Sequence, residues 1–226
     1  MRMSRIVVVG TGTGIGKTHL GISLLRALAS AGVSVAGLKP IESGVGAGPT
    51  DAELLDRAGM FHVKHPPPYA LAAPLSPHLA AAQEGVTIQL KTIQAWVASS
   101  EATWTLIESA GALLSPISPL LTNLDLTVAL EPDQVVLVAP DRLGVLHDVT
   151  ATLFAYRILA PRLPEPIVAL QPPAEADSST GSNAQQLLEL GIARTVVSFL
   201  RAPLDAPENL ARALELARLL GAVKSA

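Results

Sequence analysis

Gly10-Thr11-Gly12-Thr13-Gly14-Ile15-Gly16-Lys17-Thr18 is the stretch that decides the fold. Ile6-Val7-Val8-Val9 runs into it, a short β-branched segment stopped by glycine, which reads as a buried parallel strand. Behind it, residues 16–31 put Leu20, Leu24, Leu25 and Leu28 on one helical face, and Gly32 stands where a C-terminal cap belongs. Strand, glycine-rich turn and helix in that order cradle phosphate. Glycines let backbone N–H groups turn inward, and the helix start adds partial positive charge. Lys17 suits the β- and γ-phosphates, and the Thr18 hydroxyl suits Mg²⁺. The common form G-x-x-x-x-G-K-[ST] would have glycine at position 11. Here Thr11 stands there and Gly10 precedes it, so the loop is a variant. Gly-Lys-Thr suits a triphosphate with its cation better than a dinucleotide.

Outward from the loop, Ser34 to Leu38 reads as a second strand. Further strands are expected at Thr105–Ile107, Val135–Val138, Pro166–Leu170 and Thr195–Phe199. Helical patterns lie between them at about 87–100, 143–160, 182–190 and 207–220. This alternation predicts an α/β fold over residues 1–226: a single P-loop domain with a mostly parallel sheet between helices, in three Rossmann-like layers. Residues 44–50 and the proline-rich 64–77 read as loops over the strand ends, where ligands bind in such sheets. Ser76-Pro77 looks like a helix N-cap followed by proline at the first helical position.

Composition narrows the function. The 226 residues are 49% hydrophobic and 15% charged, which describes a globular chain with a core large enough to need no metal or disulfide. The net charge is −3 with no Lys/Arg block, so a nucleic-acid partner has little support. There is no cysteine, and the five histidines have no metal-ligand spacing. The apolar run after Arg5 is too short for a signal-peptide core, and no run is long enough to span a bilayer. A cytosolic protein without a membrane partner is expected.

Later segments join the loop into a pattern. Lys39-Pro40-Ile41-Glu42-Ser43-Gly44 follows the second strand, and Thr50-Asp51-Ala52 comes soon after. Next are Ser76-Pro77-His78 with Ala81-Ala82-Gln83-Glu84-Gly85, then Glu108-Ser109-Ala110-Gly111, then Asp141-Arg142-Leu143-Gly144. In order and spacing they resemble the dethiobiotin synthetase family, from residue 5 to about 160 and more faintly to about 205. The resemblance implies ATP-dependent carboxylation and ring closure of 7,8-diaminononanoate with CO₂, giving dethiobiotin, ADP and phosphate. It also implies Mg²⁺ and a homodimer with substrate sites near the subunit interface.

By the same resemblance, Lys39, Lys17 and Thr13 carry the chemistry. Thr13, Lys39, Ser43 and Gly111 meet the diamine. Thr18, Asp51 and Glu108 hold the metal. The nucleotide is met by Gly14, Ile15, Gly16, Lys17, Thr18, His19, Asp51, Glu108, Gly111, Gln171, Ala202, Pro203 and Leu204. The residues themselves allow plainer roles. Asp51, ahead of Ala52-Glu53-Leu54-Leu55, could cap a helix. Lys39 could be a solvated strand-end lysine. His78 reads as structural, and Trp96 and Trp104 as core or interface. Neither Lys39 nor Glu108 is expected in the core, so alanine at either should remove turnover and keep the fold.

Three departures from the family stand out. Ser109 and Ala112 replace glycines, which should narrow the room beside the substrate. His147-Asp148 replaces Asn-His after the Leu-Gly pair. Leu170 stands where many members carry an adenine-binding Asn, and leucine makes no such bonds. Relaxed base discrimination is therefore expected, with Gln171 or the loop near Pro203 compensating in part. Other readings remain: a diverged homologue that binds nucleotide without turnover, another P-loop amide-forming ligase, and a partitioning-type ATPase. Such ligases usually carry a glutaminase domain, for which 226 residues are expected to leave no space. The ATPase should have lysine where Gly12 stands.

Overall fold

The computed structural model describes residues 3–200, 202–204 and 206–224. Strand β1 (Ser4–Gly10) forms at the β-branched run and lies inside a six-stranded sheet. Its neighbours are β5 (Trp104–Glu108) and β6 (Gln134–Pro140). Beyond β5 lies β2 (Val35–Leu38); beyond β6 lie β7 (Ile167–Gln171) and β8 (Val196–Ser198). The order is β2-β5-β1-β6-β7-β8, and every pairing is parallel. All these strands therefore end on one edge, the edge that carries the glycine-rich loop. Register Val8↔Glu108 brings the end of β5 beside that loop.

Side chains alternate across the sheet and build two cores. Ile6, Val8, Leu106, Val136 and Val138 face α1 (Lys17–Ser30), α2 (Asp51–Ala58) and α8 (Pro207–Leu219). Val7, Val9, Ile107, Leu137 and Val168 face the other way. That face is covered by α3 (Pro77–Gln83), α4 (Leu90–Ala98), α5 (Asn123–Leu130), α6 (Val145–Leu159) and α7 (Asn183–Glu189). Three layers result, as the alternation of elements predicts. The helix over 87–100 begins only at Leu90, and the other expected elements match within two residues.

Three elements depart from the sequence reading. The stretch 64–77 is not all loop: Tyr69–Leu71 is strand β4, paired in parallel with β3 (Ile41–Ser43) as a small second sheet. Ile41, Tyr69 and Leu71 are buried and give this three-residue pairing its footing. Helix α5 was not foreseen either. A capping box starts it, with Thr122 accepting from Asp125 N and the Asp125 carboxylate accepting from Thr122 N.

Candidate active site

Gly16 has φ +91, a left-handed conformation that lets the chain turn from the loop into α1. A Cβ there would lie 3.1 Å from Gln171 Cγ, so glycine also admits the close approach of β7. Lys17 is the first residue of α1. It is buried, and its ammonium donates to Gly12 O at 2.8 Å. Burial pushes its pKa down to about 8; Glu108 raises it, Lys39 lowers it and Asp51 raises it.

Lys39 follows β2, and Glu108 closes β5. Lys39 Nζ donates to Glu108 Oε1 at 2.7 Å and to Asp51 Oδ2 at 2.5 Å. The Thr18 hydroxyl donates to the same Glu108 Oε1 at 3.0 Å. Lys39 is 7% exposed and Glu108 1%, which corrects the expectation that neither lies in the core. Burial works to lower the Lys39 pKa, but Glu108 and Asp51 outweigh it and hold the ammonium above its usual range. Burial raises the Glu108 pKa against the pull of Lys39 and Lys17. A charge held there at such cost needs cations around it.

Asp51 is the first residue of α2 and not its cap. Thr50 is the cap, accepting from Glu53 N at 3.1 Å, which frees the Asp51 carboxylate to reach Lys39. Glu108 Oε2 is buried without a hydrogen-bond partner. An orphaned carboxylate oxygen, a threonine hydroxyl and a second carboxylate form an all-oxygen donor set. That set fits a hard cation completed by phosphate oxygens.

Around this cluster the loop and strand ends enclose three adjoining recesses. The phosphate recess, about 260 Å³, is lined by Thr13 to Thr18 with Lys39, Asp51, Glu108 and Gly111. A second, about 580 Å³, is bordered by Thr13, Lys39, Glu42, Ser43, Asp51, Pro74 to Pro77, Ala110, Gly111 and Ser115. The two share Thr13, Lys39, Asp51 and Gly111. Gly111 has φ +86, and a Cβ there would come within 3.5 Å of the Thr13 hydroxyl. Buried Asn123 anchors this turn by donating to Ala110 O at 2.5 Å and Ala112 O at 2.9 Å. Sequence reasoning missed Asn123; the Thr122…Asp125 box that encloses it was the available signal. Ser109 and Ala112 do not border the second recess, contrary to expectation. Ser109 is buried, and its hydroxyl has no partner.

The third recess holds Gly14, Ile15, Gly16, His19, Arg142, Gln171 and Pro172 to Ala174. Of the two β7 residues weighed for the base, Leu170 and Gln171, only Gln171 borders this recess. Leu170 is fully buried in the core on the opposite face of β7, so the cleft-facing residue is Gln171. Its amide Nε2 is buried without a partner. Burial lowers the His19 pKa, and a hydrogen bond with Gln171 partly offsets this. Ala202, Pro203 and Leu204 are not brought to this recess. Ala202 O and Pro203 O accept from Asn209 Nδ2 at 2.8 and 3.0 Å. Leu204 lines a separate hollow with Arg26, Ala29 and Ser30 of α1. His78 bonds to Ser76 Oγ through Nδ1 at 2.8 Å, and Trp96 is a core residue donating to His65 O at 3.0 Å.

A parallel sheet with strand, glycine loop and Gly-Lys-Thr helix start at its carboxyl edge defines a P-loop nucleotide-binding protein. A family model described as an AAA domain matches residues 4–197. An ATP-dependent dethiobiotin synthetase from a Caulobacter species is 37% identical over 74% of this chain and 76% of its own length. Another, from Nitrosospira multiformis, is 38% identical over 70% of both. A plasmid partition protein from Borrelia burgdorferi shares the fold alone, with a TM-score of 0.60 at 13% identity over 97% of this chain and 99% of that one. The chain belongs to the ATP-dependent dethiobiotin synthetase family and is an ATP-dependent cyclo-ligase.

Proposed function

We propose that this protein carboxylates 7,8-diaminononanoate and closes it to dethiobiotin at the expense of ATP. The observation that carries this reading is the junction of two recesses at Thr13, Lys39, Asp51 and Gly111. One recess is built for phosphates. The other is walled by hydroxyls (Thr13, Ser43, Ser76, Ser115) and proline, and suits an amine-bearing apolar chain. The reacting atoms meet where they join.

One substrate amine adds to CO₂, losing a proton, and gives a carbamate. A carbamate oxygen attacks the γ-phosphorus as ADP leaves. The second amine then attacks the carbamate carbon, loses a proton, closes the cyclic urea and expels phosphate. The chain's contribution is placement and charge. Lys39, buried and held protonated, neutralises the carbamate and the transferring phosphoryl group. Lys17 serves the β- and γ-phosphates. The loop N–H groups from Gly14 to Thr18 hold the triphosphate, and Gln171 with His19 reads the base. Thr13, Ser43 and Gly111 orient the diamine. Thr18, Asp51 and Glu108 would hold Mg²⁺, which draws electron density from the phosphate oxygens.

A homodimer fits the exposed apolar residues on and around α6. Leu143, Phe154, Ile158 and Leu159 are 74%, 65%, 58% and 61% exposed. Among the described residues no helix is long and apolar enough to cross a membrane, and a cytosolic enzyme fits its small-molecule substrates. The deciding experiment supplies purified protein with MgATP, the diamine and labelled bicarbonate. Acid-stable label in a compound matching dethiobiotin supports the reading. ATP hydrolysis without incorporation rejects it.

A further inference from the structure

The first turn of α2 presents two backbone N–H groups that its own helix cannot satisfy, those of Asp51 and Ala52. Both go to one side chain. Glu42 accepts from Asp51 N through Oε1 at 2.8 Å and from Ala52 N through Oε2 at 3.0 Å. Glu42 is the middle residue of β3, and its pairing with Ala70 of β4 fixes where the carboxylate stands. Asp51, gripped at its amide, sends its own carboxylate to Lys39 at 2.5 Å. Glu42 also borders the amine-side recess next to Ser43. The chemistry proposed above does not use it.

We propose that Glu42 is a positioning residue: it fixes the start of α2 so that the Asp51 carboxylate faces Lys39 and the metal, and it ties the amine side of the cleft to the phosphate side. This rests on the reading of Asp51 as a metal ligand. A carboxylate accepting two adjacent amides removes the rotational freedom of the helix start and complements its positive end. Without it, Asp51 would keep its place in sequence and lose its fixed direction. The small sheet then has a purpose: it carries the acid that aims another acid.

The test measures Mn²⁺ binding to the complex of the full protein with a non-hydrolysable ATP analogue, by electron paramagnetic resonance. Glu42→Ala is expected to weaken Mn²⁺ about 10- to 100-fold. Analogue binding in the absence of divalent metal should be unchanged, and exchange of the Asp51 and Ala52 amide protons should quicken. Glu53→Ala removes another acid from the same turn, one that reaches Thr50 N at 3.4 Å, and should leave Mn²⁺ affinity at the wild-type level. Should Glu42→Ala fail to fold, Glu42→Gln decides, because its amide nitrogen cannot accept one of the two N–H groups. Wild-type Mn²⁺ affinity in a folded Glu42 variant overturns the proposal, as does an equal loss in Glu53→Ala. If wild-type protein makes no dethiobiotin yet the Glu42 variants lose Mn²⁺, the reaction reading fails and this one stands.

Discussion

Lys39 Nζ sits 2.7 Å from Oε1 of Glu108, a carboxylate closed off from solvent at the end of β5. Removing either partner should therefore do two things. Turnover should fall at least 100- to 1000-fold, roughly the loss seen when one donor to a developing anion is removed. Lys39→Ala should also cost about 3 kcal/mol of stability at neutral pH, since it strands a buried carboxylate. Burial already holds the Glu108 pKa high, so the stability deficit should shrink as pH falls and the acid takes up a proton. Adding Glu108→Gln to Lys39→Ala should restore most of the stability and none of the activity. Chemical denaturation at several pH values measures this.

Lys17 gives a pH dependence of nucleotide binding. Its pKa lies at about 8, so the side chain is charged below that value and neutral above it. A bound triphosphate favours the charged form. Affinity for a non-hydrolysable ATP analogue should hold up to about pH 7 and fall about tenfold by about pH 9. Lys17→Met should bind weakly at every pH and lose this slope. Calorimetric titration across the range is the check.

Base preference should follow Gln171 and ignore Leu170. Gln171→Ala should reduce the preference for ATP over CTP and GTP by about 10- to 100-fold. Leu170→Ala removes a fully buried core side chain and should cost about 2–5 kcal/mol without altering that preference. Competition among the three nucleotides in a turnover assay separates the two sites.

Asn123→Ala should loosen the turn that carries Gly111. Two carbonyls, Ala110 O and Ala112 O, lose their donor, at a cost of about 1–3 kcal/mol. KM for the diamine should rise more than KM for ATP, because the turn borders the amine-side recess. Steady-state kinetics with each substrate varied in turn will read this.

Phe154→Glu and Ile158→Lys place charges on the exposed side of α6. On the homodimer proposed above, both should give a monomer in sedimentation and lower diamine turnover while nucleotide binding persists. A sedimentation profile and turnover equal to those of the wild type would reject this face as an interface.

The layered fold was legible because its signals are strong and local. Val7 and Val9 alternate with Ile6 and Val8, and glycine stops the run at the loop. β4 was hidden by Pro66 to Pro68 and Pro74, which on a short edge pairing mark the strand's ends without preventing it. The gathering of Lys39, Asp51 and Glu108 came from resemblance, since nothing in their spacing joins a residue after β2, the start of α2 and the end of β5. Their burial could not be read, because a charged residue is buried only when its partners are already in place. Leu170 against Gln171 turned on parity. A strand's faces alternate, so a shift of one residue exchanges core for cleft.

Because the six strands run in one direction, every segment that enters a strand lies at the end of the molecule away from the nucleotide loop. Residues 99–103 ahead of β5, 131–133 ahead of β6 and 161–166 ahead of β7 all belong to that remote end. It is the natural place to graft a fluorophore or an affinity handle, or to open the chain for circular permutation, at sites that leave the reactive edge untouched.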